Sequence, residues 1–82
     1  MTTLRYNGGQ DVRIGDSIRF GDTEVGTIVV MIAEQTDMPG HQAADWAYLK
    51  DGCMIDVPAF GLFHYDAEGF ISDANLILLS RA

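Results

Sequence analysis

Positive charge is scarce in this sequence. Five lysines and arginines face twelve aspartates and glutamates, a formal net charge of −7 over 82 residues. Binding a phosphate backbone needs clustered Lys and Arg, so no nucleic-acid partner is expected. Cysteine is nearly absent as well. Cys53 stands alone, so no internal disulfide forms. A reducing, cytoplasmic setting is the simple expectation, although a disulfide-free periplasmic protein has the same composition. Long apolar runs are missing. The longest, Ile28 to Ala33, falls far short of the ~20 residues of a membrane helix, and no membrane partner is expected. The opening "MTTLRYNGG" has neither the basic nor the apolar region of a signal peptide.

The motifs of common chemistries are absent too. His41 and His64 are the only histidines, and their spacing from Cys53 fits no zinc template. The acids never fall into a D-x-D-x-D-G calcium loop. The glycines of "YNGGQ" and the Gly-Asp pairs match no phosphate-binding loop. Neither a metal nor a cofactor is expected. Cys53, His64 and Asp66 suggest a nucleophile, a base and an orienting acid. Nothing beside Cys53 resembles a helix N-terminus or a Gly-rich elbow, however, and thiolate activation needs such a setting. Cys53 reads as a small buried hydrophobe. No enzyme is expected.

What is present is a globular composition, 48% hydrophobic and 21% charged. One domain spanning residues 1–82 is expected. Short apolar alternations are separated by turn residues. "LRY" and "DVRI" flank Asn7-Gly8-Gly9, and Gly15-Asp16 turns the chain again. "SIRF" alternates as a half-buried strand, with Ile18 and Phe20 on one face, and Gly21-Asp22 follows as a turn. "EVGTIVVMIA" is apolar on both faces, with Ile28, Val30 and Ile32 pointing one way and Val29 and Met31 the other. Such a strand is central or bends between layers, with Gly26 at the bend. Residues 34–42 read as a loop. "AADWAYLKDG" predicts one or two helical turns near residues 43–50, with Ala43, Trp46 and Lys50 at helical spacing and Gly52 as a C-cap. "CMIDV" and "GLFHY" read as strands joined by the turn Pro58 to Gly61. "DAEGFISDA" reads as an irregular loop, and "NLILLS" as a closing strand with Leu76 and Leu78 on one face. The expected fold is mainly β: a small, closed or nearly closed SH3-like barrel of five to six strands, because closure removes exposed edges.

The stretch "VRIGDSIRFGDTEVGTIVV" carries a first resemblance. Its Gly-Asp-x-Ile, loop and Gly-x-Ile-Val resemble the opening of KOW-type and related SH3-like domains over Val12 to Ile32. A second resemblance lies in "DWAYLKDGCMIDVPAFGLFHY" and the ending "NLILLSRA". These look like small acidic bacterial proteins encoded beside polymorphic secreted toxins, which act as their immunity proteins. The resemblance implies stoichiometric blockade of a cognate toxin. Such families share no catalytic residues, so it assigns no active-site position.

Charge and aromatics agree with a binding surface in the later half. Residues 1–33 hold Asp11, Asp16, Asp22 and Glu24 against Arg5, Arg13 and Arg19. Residues 34–73 hold eight acids against Lys50 alone. Such a surface attracts basic partners, although solubility alone also accounts for acidity. Trp46 and Phe63 are expected in the core, and Tyr48, Phe60 and Tyr65 nearer the surface. Candidate partner-binding residues are therefore Asp37, Asp45, Trp46, Tyr48, Asp51, Asp56, Tyr65 and Asp66. The expected partner is a basic protein, a secreted toxin domain on the second resemblance. The alternatives are a KOW-like nucleic-acid- or ribosome-associated barrel and a structural or peptide-binding SH3-like module, as monomer or homodimer.

Overall fold

The computed structural model describes residues 4–20, 24–74 and 76–81. Its elements are β1 (Ser17–Phe20), β2 (Glu24–Met31), β3 (Thr36–Asp37), a 3-10 helix (Ala43–Leu49), β4 (Cys53–Val57), β5 (Gly61–Tyr65), α1 (Ala67–Ser72) and β6 (Ile77–Ser80). The six strands form one antiparallel sheet in the order β5-β4-β2-β1-β6, with β3 also on β2. The last strand thus returns beside the first, as expected of an SH3-like meander. No ladder joins β5 to β6 among the described residues, so these two strands end the path of the sheet.

β2 is the central strand because it has apolar residues to spend on both faces. A bulge at Val29 shifts the register between Ile28↔Ile55 and Val30↔Met54. Ile28 and Met31 therefore enter one core with Tyr6, Ile18, Ile55 and Phe70. Val29, Val30 and Ile32 enter a second with Ala43 and Met54. The simple alternation expected along β2 fails at this bulge, which repoints side chains by one position. Gly26 is not the bulge. It pairs with Ile18, and a Cβ there would lie 2.6 Å from Cγ2 of Ile55, so it serves close strand packing.

The 3-10 helix lids the second core. Its three-residue period aligns Ala43, Trp46 and Leu49, all packed on that core. Lys50 does not join this line. It ends the helix at φ 75°, so Lys50 and not Gly52 is the C-cap. The region expected as an irregular loop after β5 contains α1 instead. Asp66 caps it, its carboxylate accepting from the Gly69 N–H at 2.6 Å, and Phe70 is buried in the main core. Residues 34–42 also contain more than loop, since Thr36 and Asp37 pair with Met31 and Val30. "LRY" and "DVRI" make a single bridge, Arg5↔Asp11, rather than two strands. The Gly21-Asp22 turn, the side chain of Phe20 and Asn75 lie outside the described residues. Leu76 and Leu78 face the core as expected, with Ile77 and Leu79 exposed.

One buried carboxylate joins the two ends of the chain. Asp16 is fully buried. Its Oδ2 accepts from the Tyr6 hydroxyl at 2.7 Å and the Arg13 N–H at 2.9 Å, and Arg81 Nη1 lies 3.4 Å away. Burial, then the hydrogen bond to Asp16, pushes the Tyr6 phenol well above its ordinary pKa of 10.0. Burial likewise raises the Cys53 thiol above its ordinary 9.0.

Both groups resist ionisation when folded. Their stabilisation is complete below pH 9.0 and is lost as the pH climbs through 10.0 towards the folded-state values. Denaturant titrations should show stability falling above about pH 9, and Tyr6→Phe should flatten part of that fall while costing ~1–3 kcal/mol at pH 7. Gly52 tests backbone packing. At φ 91°, a Cβ there would collide with the Tyr65 carbonyl oxygen. Gly52→Ala should cost at least about 2 kcal/mol in the same titration.

Candidate partner-binding surface

The two halves of the chain differ in how their acids are used. Asp11 pairs with Arg5 at 3.5 Å, and Asp16 with Arg81 at 3.4 Å. Two of the five cations are thereby committed to early acids. Among the described residues, Glu34, Asp37, Asp45, Asp51, Asp56, Asp66 and Glu68 form no ion pair. Their negative charge faces a surface where Lys50 is the only base of its segment.

The eight candidate residues fall into three places. Asp37, Asp45, Trp46 and Tyr48 belong to β3 and the 3-10 helix. Asp37 is exposed, yet its carboxylate accepts from the Ala43 N–H at 2.8 Å and so anchors the start of that helix. Asp45 is exposed with its charge uncompensated. Trp46 is half-buried over the second core, close to its expected core role. Tyr48 is the most open aromatic among the described residues, 71% exposed.

Asp51, Tyr65 and Asp66 gather where β4 starts and β5 ends. Cys53 pairs with Tyr65, and Asp51 Oδ1 accepts from the Ala67 N–H at 3.4 Å. Tyr65 is not the surface anchor expected. It is half-buried, its ring edge-on to Phe70 at 6.0 Å, and its hydroxyl donates to Asp73 at 3.2 Å. Burial, then Asp73, raises its pKa. Asp66 is occupied as the α1 cap. Asp56 lies apart from these, near the far end of β4 between Thr27 and Leu62.

Sequence reasoning left Phe60 out of the site. It is 63% exposed in the β4–β5 turn and stands edge-on to Phe63 at 6.2 Å. Its position next to Gly61, in the turn, is the signal that marks it. Leu62 on β5 is also exposed. Phe63 is half-buried against the main core, as expected.

Cys53, His64 and Asp66 do not converge. Cys53 is buried in the main core. His64 pairs with Met54, so it lies on the opposite face of the hairpin, with its Nε2 3.2 Å from the Asp51 carbonyl. Asp66 is beyond the end of β5 and occupied by its helix. Burial raises the pKa of the thiol, which disfavours its nucleophilic thiolate form. A groove of about 470 Å³ lies elsewhere, between the N-terminal arm, the end of the 3-10 helix and α1. Arg5, Lys50, Glu34, Asp51 and Glu68 give its rim mixed charge, while Leu4 and Ile71 contribute apolar surface.

No protein-family model, curated protein or solved structure matches the chain.

The caps and the free acids separate in a stability assay. Asp37→Ala and Asp66→Ala should each cost ~1 kcal/mol, because each removes a partner from a helix-start N–H. Asp45→Ala and Tyr48→Ala should stay within about 0.5 kcal/mol of the parent in chemical denaturation.

Proposed function

We propose that this chain is a binding protein that neutralises a basic protein, a cognate secreted bacterial toxin, by stoichiometric association in the cytoplasm. The observation that supports this reading is that Glu34, Asp37, Asp45, Asp51, Asp56, Asp66 and Glu68 form no ion pair among the described residues. A cationic partner meets an attractive field there, which raises its association rate. Exposed Tyr48 and Phe60 supply aromatic anchor area beside the acids. The acidic second half is also where the resemblance to immunity proteins lies. No catalytic role is assigned to any residue. The arginines give less support to a KOW-like nucleic-acid role, since Arg5 and Arg81 are tied to Asp11 and Asp16.

Co-expression with the secreted-effector domain encoded by the neighbouring reading frame tests the reading. Rescue of growth and a one-to-one complex by calorimetry are expected. The association rate should fall by about tenfold or more between low and high ionic strength, and Asp45→Asn with Asp56→Asn should slow it further without destabilising the fold. Tight binding of RNA or DNA in a low-salt gel shift, with no protection against the effector, overturns the proposal.

A further inference from the structure

Three strands have a ladder on one side only among the described residues: β5, β6 and the two-residue β3, which is too short to offer an edge. An exposed strand edge offers unpaired N–H and C=O groups to any extended chain. Folded proteins usually blunt such edges with charge, proline or a bulge. β6 is blunted: its register with β1 shifts between Leu78 and Ser80. β5 is not. It runs in unbroken register against β4 from Gly61↔Val57 to Tyr65↔Cys53. It contains no proline and no lysine, arginine or carboxylate.

The surroundings of β5 select what can pair with it. Leu62 shares its face and its cross-strand row with Asp56. Asp51 lies beside His64 at the other end, and Asp66 follows directly after the strand. On the opposite face Phe63 is flanked by exposed Phe60. A strand laid along this edge therefore has the charge of Asp56 on the face of Leu62, the charges of Asp51 and Asp66 at the end of the strand, and the rings of Phe60 and Phe63 on the other face. Successive residues of a strand point to alternate faces, so the fitting sequence alternates cationic and apolar side chains.

We infer that β5 receives an added antiparallel strand from the basic partner, an extended segment alternating lysine or arginine with apolar residues. This deepens the inhibitor reading and rests on it for the identity of the partner. Backbone hydrogen bonds supply affinity, and the alternating rows supply specificity. A second copy of this chain is the poorer occupant. Pairing two β5 strands about a two-fold axis brings Asp51, Asp56 and Asp66 of both copies together, and like charges oppose that approach.

The test uses the full chain and two synthetic peptides of about ten residues, one alternating lysine with valine and one alternating glutamate with valine. Amide resonances are followed by NMR during titration. The lysine peptide should shift Phe60 to Tyr65 and leave Ile77 to Ser80 in place, and the glutamate peptide should not bind. Phe60→Ser, which leaves the charge unchanged, should weaken binding by about threefold or more. Leu62→Lys should weaken it by about tenfold or more while the native amide spectrum persists, because an edge lysine faces Asp56 and repels the peptide. Equal binding of both peptides, shifts confined to the 3-10 helix or β6, or self-association through β5 overturns the inference. If a cognate toxin binds with full affinity to Leu62→Lys and Phe60→Ser, strand addition is wrong while the inhibitor reading survives. If the lysine peptide adds to β5 and the neighbouring effector does not bind, the edge assignment survives and the inhibitor reading is wrong.

Discussion

The carboxylate of Asp16 is the interaction on which the closure of this fold depends. A buried charge is costly unless it is paired and hydrogen-bonded. Asp16 meets that demand by drawing two distant residues and a neighbouring backbone group to one oxygen: the hydroxyl of Tyr6, the guanidinium of Arg81 and the N–H of Arg13. Its own backbone is tied to β2, since the Ile28 N–H donates to the Asp16 carbonyl at 3.0 Å. The N-terminal arm, the start of the sheet and the end of the chain are thus fixed together. That is why β6 can close beside β1 although only four residues long. The second oxygen, Oδ1, has no hydrogen-bond partner among the described residues, so the whole compensation falls on Oδ2.

The same arrangement shapes the surface. With so few cations, each internal pairing changes what remains outside. Arg81 serves Asp16 and Arg5 serves Asp11, so the early third of the chain is nearly neutral from within. Among the described residues, Glu34, Asp37, Asp45, Asp51, Asp56, Asp66 and Glu68 form no ion pair. Three of them, Asp37, Asp51 and Asp66, accept from N–H groups at helix starts. A hydrogen bond to a backbone N–H does not cancel the charge, so even these structural carboxylates add to the external field. The fold and the proposed binding surface therefore draw on the same acids without conflict.

Much of the sheet was legible because its strands obey a period of two. Ile18, the apolar run of β2, the β4–β5 pair and the Leu76–Leu78 face followed directly from alternation. The failures each have a local cause. The bulge at Val29 leaves no mark in a run where every residue is apolar, so its phase shift was hidden. The α1 helix was hidden by its length: six residues with a glycine at position 69 carry too little periodicity, and only the Asp66 cap announces it. The two-turn segment at residues 43–49 was legible, but its 3-10 period was not. That period replaces Lys50 by Leu49 on the packed line. Tyr65 misled because a strand-end aromatic beside acids resembles a surface anchor, whereas α1 folds over it and brings Phe70 against its ring. Asp16 reads as an ordinary turn residue in the sequence. Nothing local predicts that Tyr6 and Arg81 converge on it.

The position of β5 follows from these constraints. β2 is covered on both faces by the two cores, and β1 is held between β2 and β6. β6 carries the bulge and leads into Arg81, which is engaged with Asp16. β5 is the strand that the closing network does not reach. Its inner residues Phe63 and Tyr65 hold it to the core, while Leu62 and His64 face outward. It can therefore stay regular, uncharged and open without weakening the latch at the other end of the sheet. Regularity of an uncovered edge is ordinarily an aggregation hazard. Here the flanking carboxylates oppose self-pairing, and the same charges favour a cationic strand. One set of acids can thus protect the edge from its own kind and admit a partner of opposite sign.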